Sequence, residues 1–97
     1  MNVEFSKAAE LEFKEVIDYY NNQSEGLGFE FANEVRKTIE RITGYVNSWP
    51  KISDNTRRAR TNRFPYGIIY SNNEEKITII AVMHLHRKPD YWKSHLN

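Results

Sequence analysis

Four arginines fall within seven residues, Arg57, Arg58, Arg60 and Arg63, and a second cationic group, His84, His86 and Arg87, ends the most apolar segment of the chain, with Tyr91 just beyond. These are the residue types that metal-free cleavage of an RNA phosphodiester requires. The 2′-hydroxyl must lose a proton, positive charge must stand beside the crowded phosphorane, and the leaving 5′-oxygen must receive a proton. Arg58, Arg60, Arg63 and Arg87 could supply the charge, because guanidinium is always ionised and binds phosphate through two parallel hydrogen bonds. His84 or His86 could act as base, and Tyr91 or a histidine as acid. The same arginines could instead meet an anionic partner without any chemistry; packed this closely, they repel one another unless a counter-charge or solvent compensates.

Each group also has a structural reading. His84 lies among apolar strand residues and could be a hydrogen-bonded part of the core. Arg87 could pair with Asp90. Pro89, Tyr91 and Trp92 read as a plug closing one end of the core. His84 and His86 share a face of a regular strand, but no third ligand stands near them beyond the remote His95, so neither a metal site nor a cofactor is expected.

The elements that position these residues follow from the hydrophobic pattern. Val3–Phe5 reads as a short strand, and Ser6 as the N-cap of a helix from about Lys7 to Asn22, whose stripe is Ala9, Phe13, Val16, Ile17 and Tyr20. A second helix is predicted from about Leu27 to Ser48, with Phe31, Val35, Ile39, Ile42 and Val46 as its stripe and Trp49-Pro50 as its stop. The short link makes the two an antiparallel hairpin. From Arg57 the period becomes strand-like as far as Arg63. Tyr66–Ser71 is a second strand, Asn72–Glu75 a turn, and Lys76 to about His86 a central strand buried on both faces. Pro65 must sit at a strand end, and DYWKSHLN, residues 90–97, closes as a helical turn or tail. The order β-α-α-β-β-β predicts an α+β fold, a helical hairpin packed on a small antiparallel sheet. The hairpin of strands should bring Arg63 to the end where His84, His86 and Arg87 lie.

Composition narrows the class. Residues 1–97 fit one domain with a single modest core, at 39% hydrophobic and 28% charged residues. Cysteine is absent, which excludes disulfides and thiolate chemistry. The start MNVEFSKAAELEF has no signal-like apolar run, and no stretch is apolar enough for a membrane span, so a soluble cytoplasmic protein is expected. The net charge of +1 is uneven: residues 1–48 hold five Lys/Arg against nine Asp/Glu, whereas residues 49–97 hold nine against four. The basic half suits a polyanion or an acidic protein.

The segments GLGFEF, WP, RFPYGIIY and AVMHLHRKPDYW, in this order and spacing, resemble the RelE/ParE superfamily of bacterial type II toxins, and within it the ParE-like, plasmid-stabilisation branch. The likeness runs from about Val3 to Trp92. It implies a growth-inhibiting toxin neutralised by a cognate antitoxin that lays an acidic or amphipathic segment on it, leaving a toxin–antitoxin hetero-oligomer open. RelE-like members cut messenger RNA on the ribosome; ParE-like members inhibit DNA gyrase by binding it. In the nucleases an arginine commonly occupies the position of Gly67, and a second arginine or histidine falls near Leu85, with His84, His86 and Arg87 around it; Tyr91 matches a tyrosine of the C-terminal segment. The loss at Gly67 favours the ParE-like reading, with Arg58, Arg60, Arg63 and Arg87 as target-binding residues. The alternatives are a ribosome-dependent endonuclease using His84, His86, Arg87 and Tyr91, and a degenerate toxin that only binds its antitoxin.

Overall fold

Ser6 sets the first helix. Its hydroxyl accepts from the Ala9 N–H at 3.0 Å and donates to the Ile80 carbonyl at 3.2 Å, so the cap is also pinned to the sheet. In the computed structural model, which describes residues 1–96, strand β1 (Asn2–Phe5) leads into α1 (Lys7–Gln23). Gly26, at φ 84°, turns the chain into α2 (Leu27–Gly44). Strands β2 (Arg57–Arg60), β3 (Tyr66–Asn72) and β4 (Lys76–His84) follow, and a 3-10 helix spans Tyr91–Leu96. Asn97, the last residue of the predicted terminal turn, lies outside the described residues.

The helices approach closely at Gly28. Its N–H donates to Asn21 Oδ1 at 2.7 Å, and a Cβ built there would lie 2.1 Å from the Ile17 carbonyl oxygen. That oxygen is backbone and cannot swing aside. Gly28→Ala is therefore expected to force the helices apart and destabilise the protein by about 1–3 kcal/mol, the usual cost of overpacking. Chemical denaturation measures it directly; an unchanged midpoint would mean that the hairpin gives way freely.

The sheet order is β1-β4-β3-β2. The β2–β3 and β3–β4 pairs are antiparallel, as expected. β1 departs from the expectation of an all-antiparallel sheet: it pairs parallel with β4, from Asn2 opposite Lys76 to Phe5 opposite Ile79. The two are joined through all the intervening elements, and only such a long crossover lets strands run the same way. Past Phe5, one more backbone bond and then a side chain take over the edge of β4. The Ser6 N–H donates to the Ile79 carbonyl at 2.9 Å, and Glu12 Oε1 accepts from the Val82 N–H at 2.9 Å.

Two predicted boundaries move. α2 ends at Gly44, not Ser48, although Val46 still packs on the core and its carbonyl accepts from the Tyr70 hydroxyl at 2.6 Å. Glycine is a weak helix former, and that tertiary bond holds Val46 outside the helix. β4 ends at His84, not His86. Leu85 donates to the Pro65 carbonyl at 2.9 Å, and the Arg87 N–H turns back to the His84 carbonyl at 3.0 Å.

Two apolar clusters lie on opposite faces of the sheet. The larger joins Phe31, Val35 and Ile42 of α2 to Ala59, Ile68, Tyr70, Ile77, Ile79 and Val82. The smaller holds Ile69, Ile80, Ala81, Met83 and Trp92. The predicted plug is thus a lid: Trp92, 2% exposed, covers the sheet face away from the helices and does not close an end of the main core.

Burial raises the hydroxyl pKa of Tyr20, Tyr66, Tyr70 and Tyr91 above the ordinary tyrosine value. Unfolded tyrosine ionises near pH 10. Above that pH the unfolded chain has lost protons that the folded chain keeps, so ionisation favours unfolding. Stability is expected to be complete below about pH 10 and to fall as pH rises through the folded values. Melts across this range, followed with tyrosinate absorbance, should show both changes together; a constant melting temperature while tyrosinate appears would contradict the burial.

Candidate functional site

The arginines of β2 divide between the faces of the sheet. Ala59 faces the helices, so Arg58 and Arg60 face away from them. Arg57 has a structural partner, donating from Nη1 to the Trp49 carbonyl at 2.7 Å. Arg58 is half-buried, opposite Ile69, and Arg60 is exposed, opposite Gly67.

Gly67 makes room for Arg58. A Cβ at position 67 would lie 3.1 Å from both Cγ and Cδ of Arg58 and 3.2 Å from Cδ2 of Leu85. The two side chains leave a Cβ at 67 only a tight fit and would have to give by a few tenths of an ångström. Arg58, Leu85 and Arg87 line a cleft of about 180 Å³ on the outer face, with Ile69, Met83 and Trp92 among its walls. The cleft therefore joins apolar side chains to polar ones, with a guanidinium from β2, another from the turn after β4, and Asp90 at the rim. Arg87 does not pair with Asp90, whose carboxylate binds Lys93 at 3.3 Å; its guanidinium lies 4.4 Å from the centre of the Tyr91 ring.

Arg63 does not line this cleft. Its φ of 71° is uncommon without glycine, and its guanidinium pairs with Glu30 Oε1 of α2 at 2.7 Å. The hairpin does bring the start of β3 to the end of β4, with Tyr66 opposite His84, but the Arg63 guanidinium turns to Glu30 in place of converging with His84, His86 and Arg87. His84 packs edge-on against Tyr66, with ring centres 5.2 Å apart. His86 lies beyond the strand, so the shared strand face does not exist, yet the turn sets the two imidazole centres 5.2 Å apart and the His86 N–H on His84 Nδ1 at 3.1 Å. Among the described residues no three His, Asp or Glu side chains are grouped to hold a metal ion.

His84, Arg87 and Tyr91 do come together, in a second cleft of about 80 Å³, where Glu12 and Glu15 of α1 join them. Glu12 Oε2 lies 2.8 Å from His95 Nε2, with both side chains largely buried. The Tyr91 hydroxyl is pushed up by burial first and then by the neighbouring Glu12 carboxylate. A phosphate entering here would approach Arg87 but also two carboxylates, which repel it. Sequence reasoning missed Glu12 and its pairing with His95, which it placed only as a remote histidine. The available signal was position: Glu12 stands three residues after Ala9 and four before Val16, on the apolar stripe of α1.

The sequence profile of a family described as "ParE toxin of type II toxin-antitoxin system, parDE" matches residues 3–89. No curated protein sequence matches the chain. A solved structure titled "Chromosomal ParDE TA system from P. aeruginosa" is similar in fold, with a TM-score of 0.75 at 12% identity, covering 87% of this chain and 95% of that one.

Proposed function

The chain belongs to the ParE toxin family of type II toxin–antitoxin systems, and on that footing we propose that it is one toxin domain, neutralised by a cognate antitoxin, which arrests growth by binding DNA gyrase and not by cutting RNA. The observation that carries the choice is the pair of clefts beside Arg87. The groups suited to acid–base chemistry, His84 and Tyr91, share their cleft with Glu12 and Glu15, while the position where related nucleases carry arginine is Gly67, covered by the stem of Arg58. Binding needs less. Arg58, Arg60 and Arg87 offer fixed positive charge on the sheet face opposite the helices, and such a patch steers and orients an acidic protein surface.

Induced expression without antitoxin, with DNA supercoiling and messenger RNA integrity followed in parallel, tests the proposal. Growth arrest with loss of gyrase supercoiling and intact messages is the expected result. Messages cut in a ribosome-dependent way, with supercoiling normal, would reverse the choice of target.

A further inference from the structure

The outer cleft fits one kind of contact better than the others. Its volume, about 180 Å³, is below the roughly 300 Å³ at which small-molecule sites begin, so it takes a side chain or two of a larger partner. Ile69 and Met83 are buried beneath it and Leu85 is half-buried, so its inner surface is aliphatic. Arg58 and Arg87 add two charges of one sign, and among the described residues neither forms an ion pair; the aspartate at the rim, Asp90, is held by Lys93.

Nucleic acid is poorly served here. Single strands bind largely through bases stacked on open aromatic faces. Trp92 is 2% exposed and turned into the sheet, and Arg87 lies over the ring of Tyr91. On the far side of Arg87 a phosphate chain would run against Glu12 and Glu15.

We propose that this cleft seats an extended acidic segment of the protein target, with an aliphatic side chain on Ile69, Met83 and Leu85 and a carboxylate two residues along between Arg58 and Arg87. In an extended segment, side chains two residues apart point the same way, so one strand presents both groups together. A carboxylate also matches the guanidinium fork. Gly67 belongs to the site: a Cβ there would require the stem of Arg58 and Leu85 to give by a few tenths of an ångström, and a branched side chain as large as leucine would require more. The inference rests on the reading of this face as the target contact, and it assigns the chemistry of that contact.

The test is an NMR titration of the purified protein with an acetylated, amidated tripeptide, Leu-Gly-Glu, against the same peptide ending in Gln, inorganic phosphate and a uridine hexanucleotide. The Glu peptide is expected to shift the amides of Met83, Leu85 and Arg87 and the indole N–H of Trp92, saturating in the millimolar range usual for so small a ligand. The Gln peptide should bind about ten-fold more weakly, the loss of one charge-assisted hydrogen bond. Arg58→Gln and Arg87→Gln, with melting curves matching the parent, should reduce the Glu peptide to the level of the Gln peptide, and Gly67→Leu should abolish the difference between them. Equal binding of both peptides overturns the proposal, as does the absence of shifts at ~20 mM or tighter binding of the hexanucleotide at these same residues. The titration involves neither cells nor antitoxin. A protein that arrests growth but ignores the peptide refutes the cleft alone, and one that binds the peptide but leaves growth untouched refutes the toxin reading alone.

Discussion

Trp92→Ala is expected to lower stability by about 3–5 kcal/mol, the range for truncating a large buried aromatic. Trp92 is 2% exposed and is the cover of the outer apolar cluster, so its loss uncovers Ile69, Ile80, Ala81 and Met83 together. The segment that carries it is tied down at only a few other points, notably His95 on Glu12 and the stack of Arg87 on Tyr91. Neither replaces the buried indole. For a chain of this length the loss corresponds to a fall in melting temperature on the order of 15–30 °C. Trp92→Phe should recover much of it, because an aromatic ring still covers the cluster. Thermal melts of both variants decide the matter. If the alanine variant melts with the parent yet no longer arrests growth, the indole is a contact group and the lid does not hold the fold.

The parts of this fold that were legible in the sequence are those whose partners announce themselves by local period. The stripe of α1 predicted its buried face, and ITIIAVMHL, apolar at every other position and at half of those between, predicted a strand buried on both faces. β4 is that strand, flanked by β1 and β3. What was not legible depends on partners far along the chain. Four residues of β1 carry no mark of whether they will pair parallel or antiparallel, since the choice depends on which strand has a free edge. The end of β4 depends on Pro65, across the hairpin, whose carbonyl takes the Leu85 N–H. Glu12 and His95 are 83 residues apart, and Arg63 and Glu30 are 33 apart. No spacing rule reaches that far. The arginine set was found because charge density is a local property; its division into Arg57 on the Trp49 carbonyl, Arg63 on Glu30, and Arg58 and Arg60 on the outer face had to come from the fold.

That division makes the second large effect specific. Arg58→Gln, Arg60→Ala and Arg87→Gln are each expected to reduce toxicity in a step; the exposed Arg60 and Arg87 changes should leave stability within about 0.5 kcal/mol, and the half-buried Arg58 keeps most of its stem packing as glutamine. Glutamine is the better choice at 58 and 87, because the stem of Arg58 packs over Gly67 and Arg87 rests on Tyr91, and truncation there would remove packing along with charge. Arg63→Ala should do less to toxicity than the other three. Its guanidinium already has Glu30, and this exposed pair is worth little to the fold. Combining Arg58, Arg60 and Arg87 changes should accumulate the losses, the behaviour of a binding surface whose contacts each contribute part of the affinity. His84→Gln and His86→Gln should change little beyond local packing against Tyr66. A nuclease would behave otherwise: removing one true acid, base or phosphate-stabilising group lowers cleavage by roughly 100-fold or more, with no graded series. Growth arrest on induction, scored with a melt for every variant, separates the patterns. If purified protein cleaves ribosome-bound messenger RNA and His86, Arg87 or Tyr91 substitutions each abolish that cleavage, the carboxylates of the second cleft do not keep phosphate out and the gyrase assignment falls, while membership of the toxin family stands.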